Sequence, residues 1–143
     1  MSFDLKLING DFSLKNGQLE TAVDSEKLIQ DILKICLTPA GANPIHPEYG
    51  SFISKTLIGS SLDPSIIIQV GKSQLSNCLE NLKNLQSLQV KSFQRVTADE
   101  QISSVSNIIV QFSEIDPRLI NVEIRVFSKG LKPLTVRFKI NTI

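Results

Sequence analysis

His46 is the only histidine of the chain, and Glu48 and Tyr49 follow it closely inside a proline-rich segment. A catalytic histidine needs a nucleophile or an orienting carboxylate held in geometry, and a zinc site needs three or four ligands at suitable spacing. The sequence assembles neither, so His46 reads as a loop contact. Glycoside hydrolysis would need two carboxyls about 5 to 10 Å apart, one of them with a raised pKa. The acids near expected loop surfaces are Asp11, Glu20, Glu48, Asp63, Asp99, Glu100, Glu114 and Asp116, and their spacing singles out no pair. Asp63 is placed to cap a helix, Asp11 and Asp116 favour turns, and Asp99-Glu100 sits in a polar stretch. There is no phosphate-cradling glycine loop, no Cys-x-x-Cys and no nucleophile elbow. No catalytic, cofactor-binding or metal-ligating residue is assigned, and no cofactor is expected.

The elements that would position any site fit one domain spanning residues 1–143. At 41% hydrophobic and 20% charged, the composition is neither disordered nor membrane-spanning. The longest aliphatic cluster, Ile66 to Ile68, is far short of a bilayer span, and the N-terminus lacks a basic region followed by an apolar run, which points to the cytoplasm. Cys36 and Cys78 each fall on the apolar side of an expected helix; they could meet in the core, with buried free thiols the favoured state.

Lys15-Asn16-Gly17 should reverse a small hairpin between Phe12–Leu14 and Gln18–Thr21. Asp24 or Ser25 should cap a helix whose apolar positions Leu28, Ile29, Ile32, Leu33 and Cys36 form a single core-facing stripe, ended by Pro39 and Gly41. From Leu37 to Gly50, three prolines and two glycines predict a rigid, largely extended spacer. Ser51–Leu57 reads as a short helix, Gly59-Ser60-Ser61 as a break, and Asp63-Pro64 as the start of a helix running to about Leu82 or Leu85. Gly71 inside it suggests a close contact. From Leu88 the period becomes two: weakly over Leu88–Val96, then over Ile108–Phe112, Ile120–Val126 and Leu134–Ile140. Thr97–Ser106 reads as a mobile connection, and no internal repeat stands out. The fold class is α+β in two layers, with the N-terminal hairpin and helices packed on a C-terminal antiparallel sheet.

Charge is uneven. Residues 117–143 carry Arg118, Arg125, Lys129, Lys132, Arg137 and Lys139 against Glu123 alone. Positive charge protects an edge strand from sticking to other edges and also suits an acidic partner. The cations are too sparse for a nucleic-acid site.

The hairpin with Asp11-Phe12 and Asn16-Gly17, Gln30 on the helix ending Cys36-Leu37-Thr38, then Gly41 and Pro47-Glu48-Tyr49-Gly50-Ser51, followed by a long helix and C-terminal strands, resembles the baseplate wedge and sheath-initiator proteins of contractile phage tails, which have relatives in type VI secretion systems. Two positions depart from the family: Ala42 stands where an acid is common, and Glu80–Asn84 lacks the usual Glu-Pro-Arg tripeptide that docks on the wedge bundle. The resemblance implies a non-enzymatic virion component, assembled in the host cytoplasm and placed in the tail baseplate around the tail tube. Its partners would be baseplate wedge proteins and the tail sheath protein, whose first ring it would template by strand addition to the C-terminal sheet. No membrane or nucleic acid is implied as a partner. Arg125, Arg137 and Lys139 are expected at the sheath-facing surface, and Pro47 and Tyr49 at a wedge contact; the chain ending at Ile143, near the last strand, fits an acceptor edge. The alternatives are a peptidoglycan hydrolase of the lysozyme-like kind and a regulatory adaptor of the same fold.

Overall fold

Two Asn-Gly pairs, where the hairpin reading used one, fold the N-terminal chain of this computed structural model, which describes residues 2–57 and 63–142. Asn9-Gly10 and Asn16-Gly17 both have positive φ at each residue, the backbone that joins two strands tightly. They divide residues 4–24 into three successive seven-residue units, Asp4–Gly10, Asp11–Gly17 and Gln18–Asp24. β1 (Asp4–Leu5) pairs with β6 (Thr21–Ala22), β2 (Leu7–Ile8) with β3 (Asp11–Phe12), and β4 (Leu14–Lys15) with β5 (Gln18–Leu19). Each unit therefore pairs its end with the start of the next, and the third closes on the first. The middle residues complete the ring: Ser13 N–H donates to Lys6 C=O, Glu20 N–H to Ser13 C=O and Lys6 N–H to Glu20 C=O, each at 2.9 Å. This is an internal repeat, contrary to the expectation from sequence. Its third copy hides it by carrying Val23-Asp24 in place of Asn-Gly as the chain turns into a helix.

That helix is α1 (Asp24–Leu37). Asp24 does not cap it; Val23 is the N-cap, and the Asp24 carboxylate instead accepts from the Thr97 hydroxyl at 2.8 Å. Leu28, Ile32, Ile35 and Cys36 are buried, while Ile29 and Leu33 are only half-buried, so the stripe is wider than a core seam. Gln30 ties the N-terminal repeat to α1: its amide donates to Leu5 C=O (2.8 Å) and Asp4, and its oxygen accepts from Leu7 N–H (2.9 Å).

The proline segment is a closed loop and not the extended spacer its prolines suggest. Pro39 and Ser51 form a parallel bridge, with Ser51 N–H donating to Thr38 C=O at 2.9 Å and Ala40 N–H to Ser51 C=O at 3.0 Å. Gly41 N–H closes on Pro47 C=O at 3.0 Å, and the Ser51 hydroxyl donates to Cys36 C=O at 2.6 Å. Prolines fix φ at single positions but leave the turns between them free, so their number alone does not set direction.

α2 (Ile53–Leu57) leads to the expected break at 59–61, which lies outside the described residues. α3 (Pro64–Lys91) begins behind Asp63 as expected, though the Asp63 side chain makes no capping bond. Gly71 lets it settle: a Cβ there would touch Val110 at 3.5 Å and Leu57 at 3.7 Å. α3 runs past Leu85 and absorbs Leu88–Lys91, where a weak strand was expected. The reason is Gln86. It continues the buried line of Leu75, Leu79 and Leu82, accepts from Ile102 N–H at 2.8 Å and donates to Glu100 C=O at 3.0 Å, locking the last turns of the helix to the sheet. The connection read as mobile is likewise built. Thr97 opens a 3-10 turn (Ala98–Glu100) with a reciprocal capping box that buries Glu100.

β7 (Ile102–Phe112), β8 (Leu119–Ser128) and β9 (Pro133–Asn141) form an antiparallel meander in that order. Ile120, Val122, Ile124 and Val126 of β8 and Val136 and Ile140 of β9 pack against α1 and α3 on one face. This is the two-layer α+β arrangement, with three sheet strands where four period-two segments had been read.

Candidate functional site

β8 is central, so β7 and β9 are edges. Which backbone groups an edge presents follows from register. Thr142 N–H donates to Arg118 C=O at 2.9 Å and Ser128 N–H to Lys132 C=O at 3.0 Å, and hydrogen-bonded pairs alternate along an antiparallel ladder. The even residues of β9 therefore turn their N–H and C=O groups toward β8, and the odd residues Thr135, Arg137 and Lys139 turn theirs outward. Pro133, which lacks an N–H, falls on the outward side, the position a strand tolerates.

The two edges differ. The β7–β8 pairing is interrupted by register shifts between Ile102 and Ser104 and between Val105 and Asn107, and bulges blunt an edge by twisting it. β9 pairs with β8 without a shift from Pro133 to Asn141, so its outer side is a regular, unbulged row.

Arg125, Arg137 and Lys139 all project from the face opposite the helices. Arg125 and Arg137 are not a bare cationic patch: both grip Glu123, Arg125 Nη2 at 2.6 Å and Arg137 Nε at 2.8 Å from its two carboxylate oxygens. Elsewhere in the same basic stretch, Lys132 pairs with Asp99 at 2.7 Å and Arg118 with Asp116 at 3.3 Å. Among the described residues, Lys139 has no acidic partner. The basic tail is thus largely neutralised within the chain, a pairing that sequence separation conceals for Asp99.

The hydrogen bond from Arg137, joined by that from Arg125, holds the Glu123 carboxyl below its ordinary 4.5. A depressed carboxylate contributes its stabilisation above the ordinary pKa and loses it as pH falls through the lowered one. The Nε–H resonances of Arg125 and Arg137 should hold steady above about pH 4.5 and shift together below it. In Glu123→Gln they should not move in that range; independent shifts of the two arginines in the parent would refute the shared clamp.

Pro47 is exposed in the loop. Tyr49 is half-buried against the core, and burial, with the nearby Asp31, pushes its hydroxyl up to about 12. His46 Nδ1 lies 3.4 Å from Glu48 on an exposed part of the loop. Cys36 and Cys78 do meet in the core as free thiols, Sγ to Sγ 3.9 Å; the bond from Cys78, with burial, pushes the Cys36 thiol up.

Several of the carboxylates weighed for hydrolysis have local engagements, although the Asp63 side chain makes no capping bond and Glu100 Oε1 is buried without a hydrogen-bond partner among the described residues. Glu20 accepts from Ser13, Asp99 pairs with Lys132, and Glu100 closes its capping box on Thr97 N–H at 2.8 Å. The carboxyl groups with shifted pKa, Asp4, Asp116 and Glu123, all move down. At Asp4 burial raises it, but hydrogen bonds from Lys34 and Gln30 outweigh burial. A raised pKa is what a general acid needs.

One feature of the edge was missed from sequence. An apolar hollow of about 630 Å³ adjoins β9 on its helix side, lined among others by Leu7, Ile29, Leu33, Leu37, Arg137 and Phe138. The signal was present: Ile29, Leu33 and Leu37 recur every fourth residue along a helix flank distinct from the buried line.

No protein-family model and no curated protein matches the chain. A solved structure from Geobacter sulfurreducens, provisionally named a tail lysozyme, has the same fold: the TM-score is 0.66 over 85% of this chain and 94% of that one, at 10% sequence identity.

Proposed function

We propose that this chain is a structural part of a contractile-tail baseplate that offers the outer side of β9 to an extended arm of the tail sheath protein, so that the first sheath ring assembles on it. The observation that carries this reading is the contrast between edges: β7 is interrupted by register shifts over Ile102–Asn107 and is regular only from Asn107 to Phe112, whereas β9 is regular along its whole length and presents Thr135, Arg137 and Lys139 in an unbroken row. Main-chain pairing to such a row supplies the affinity of strand addition. The solved structure of the same fold, with its tail-related name, supports placing the chain in a phage tail. Its name also raises the hydrolase alternative, which a cell-wall assay separates from assembly.

Immobilised protein should capture purified sheath subunits of the same phage and seed their polymerisation, while leaving a peptidoglycan suspension turbid. Folded protein that captures no sheath would overturn the assembly role, and clearing of the suspension would replace it with hydrolysis.

A further inference from the structure

Resting on that reading, we infer that the hollow beside β9 selects the side chains of the docking strand: apolar groups at alternate positions enter it, and acidic groups between them face Lys139. The pleat requires a division of this kind. Successive side chains of a strand point to opposite faces of the sheet. A strand pairing with the outward groups of Thr135, Arg137 and Lys139 therefore places every second side chain beside Phe138, on the helix side, where the hollow opens. There it meets Ile29, Leu33 and Leu37, an unbroken aliphatic row on α1, with Leu37 half exposed at 53%. The hollow meets β9 at Arg137 and Phe138, midway along the open ladder, so a segment paired there lays its helix-side groups over it; Lys6, Glu26 and Lys34, which also line the hollow, are already ion-paired within the chain. Apolar surface left wet along this groove is removed by aliphatic side chains at those positions.

The other face selects by charge. Glu123 already satisfies Arg125 and Arg137, which leaves Lys139 as the cation facing an incoming strand next to Asn121, its neighbour on β8. An acidic residue opposite or diagonal to Lys139 pairs across strands, and a basic one is repelled. The occupant is thus a partner segment alternating aliphatic and acidic residues, as opposed to any extended peptide.

The test uses the full chain with a short segment joined after Ile143 by a flexible glycine-serine linker, which supplies a millimolar effective concentration. One segment alternates valine with glutamate, a second valine with lysine, a third serine with glutamate. Amide hydrogen exchange at Thr135, Arg137 and Lys139 reports the ladder. The valine–glutamate segment should slow exchange about tenfold or more, the other two by less than about threefold, and Leu37→Glu should abolish protection by the first. Equal protection by all three segments, or indifference to Leu37→Glu, overturns the selective groove and leaves strand addition standing. Absence of protection with every segment overturns both.

Discussion

Under the proposed role, Arg137→Pro should leave the protein folded and weaken seeding of sheath at least about tenfold. The two effects separate because of where the Arg137 N–H points. Residue 137 lies opposite Glu123 in the ladder, in the set that turns its backbone groups away from β8. Proline there removes no hydrogen bond of the native sheet, and the preceding Val136 is already in the extended backbone that a residue before proline adopts. The fold should lose about 1 kcal/mol for fitting the ring's φ into a strand. An incoming strand loses a donor at the centre of its ladder and meets the proline ring, so seeding should weaken at least about tenfold, which corresponds to about 1.4 kcal/mol. Val136→Pro is the contrasting case: its N–H faces Ile124 and its side chain is buried, so it should cost about 3 kcal/mol or more. Arg137→Ala keeps the N–H while losing the grip on Glu123, and should seed sheath nearly as well as the parent. Circular dichroism and thermal melts establish folding; light scattering of sheath subunits reads seeding. A folded Arg137→Pro protein that seeds normally would remove β9 as the acceptor.

That asymmetry between neighbouring residues of one strand could not be read from sequence. The alternation of Leu134, Val136, Phe138 and Ile140 with Thr135, Arg137 and Lys139 tells which side chains face the helices, and the structure agrees. It says nothing of which N–H groups face outward, because that depends on the partner strand and its register. The same distinction separates the legible parts of this fold from the rest. β8 and β9, the turn at Asn16-Gly17 and the start at Asp63-Pro64 are local signals, and they appear where expected. The extension of α3 depends on Gln86, a polar residue that breaks the hydrophobic pattern yet is buried because Ile102 N–H and Glu100 C=O, distant in sequence, satisfy it. The neutralised basic face depends in part on Lys132 meeting Asp99 across the fold. Of the residues expected at interfaces, Arg125, Arg137, Lys139 and Pro47 are exposed, while Tyr49 packs inward because the loop that carries it closes.

Gly50→Ala should be among the most damaging single-methyl changes in the chain, costing about 3 kcal/mol or more. Gly50 has φ +114, outside the range a side chain adopts readily, and a Cβ placed there would stand 2.5 Å from Thr38 C=O and 3.0 Å from Ala40 N. Those contacts are backbone atoms of the bridge that closes the proline loop, so relief requires pulling Ser51 away from Thr38 and Ala40 and opening the bonds that hold them. The Ser51 hydroxyl would leave Cys36 C=O with it, exposing the end of α1 at the core. Gly41→Ala isolates the backbone contribution: its φ is +87, but a methyl at that position would have nothing within 4 Å, so conformational strain alone should cost about 1 to 2 kcal/mol. Urea denaturation of both variants, with equal slopes, gives the comparison directly. A Gly50→Ala loss no larger than that of Gly41→Ala would mean that the loop closes without the tight approach of residue 50 to Thr38. The prolines alone would then hold its shape, returning the segment to the stiff spacer its composition suggests.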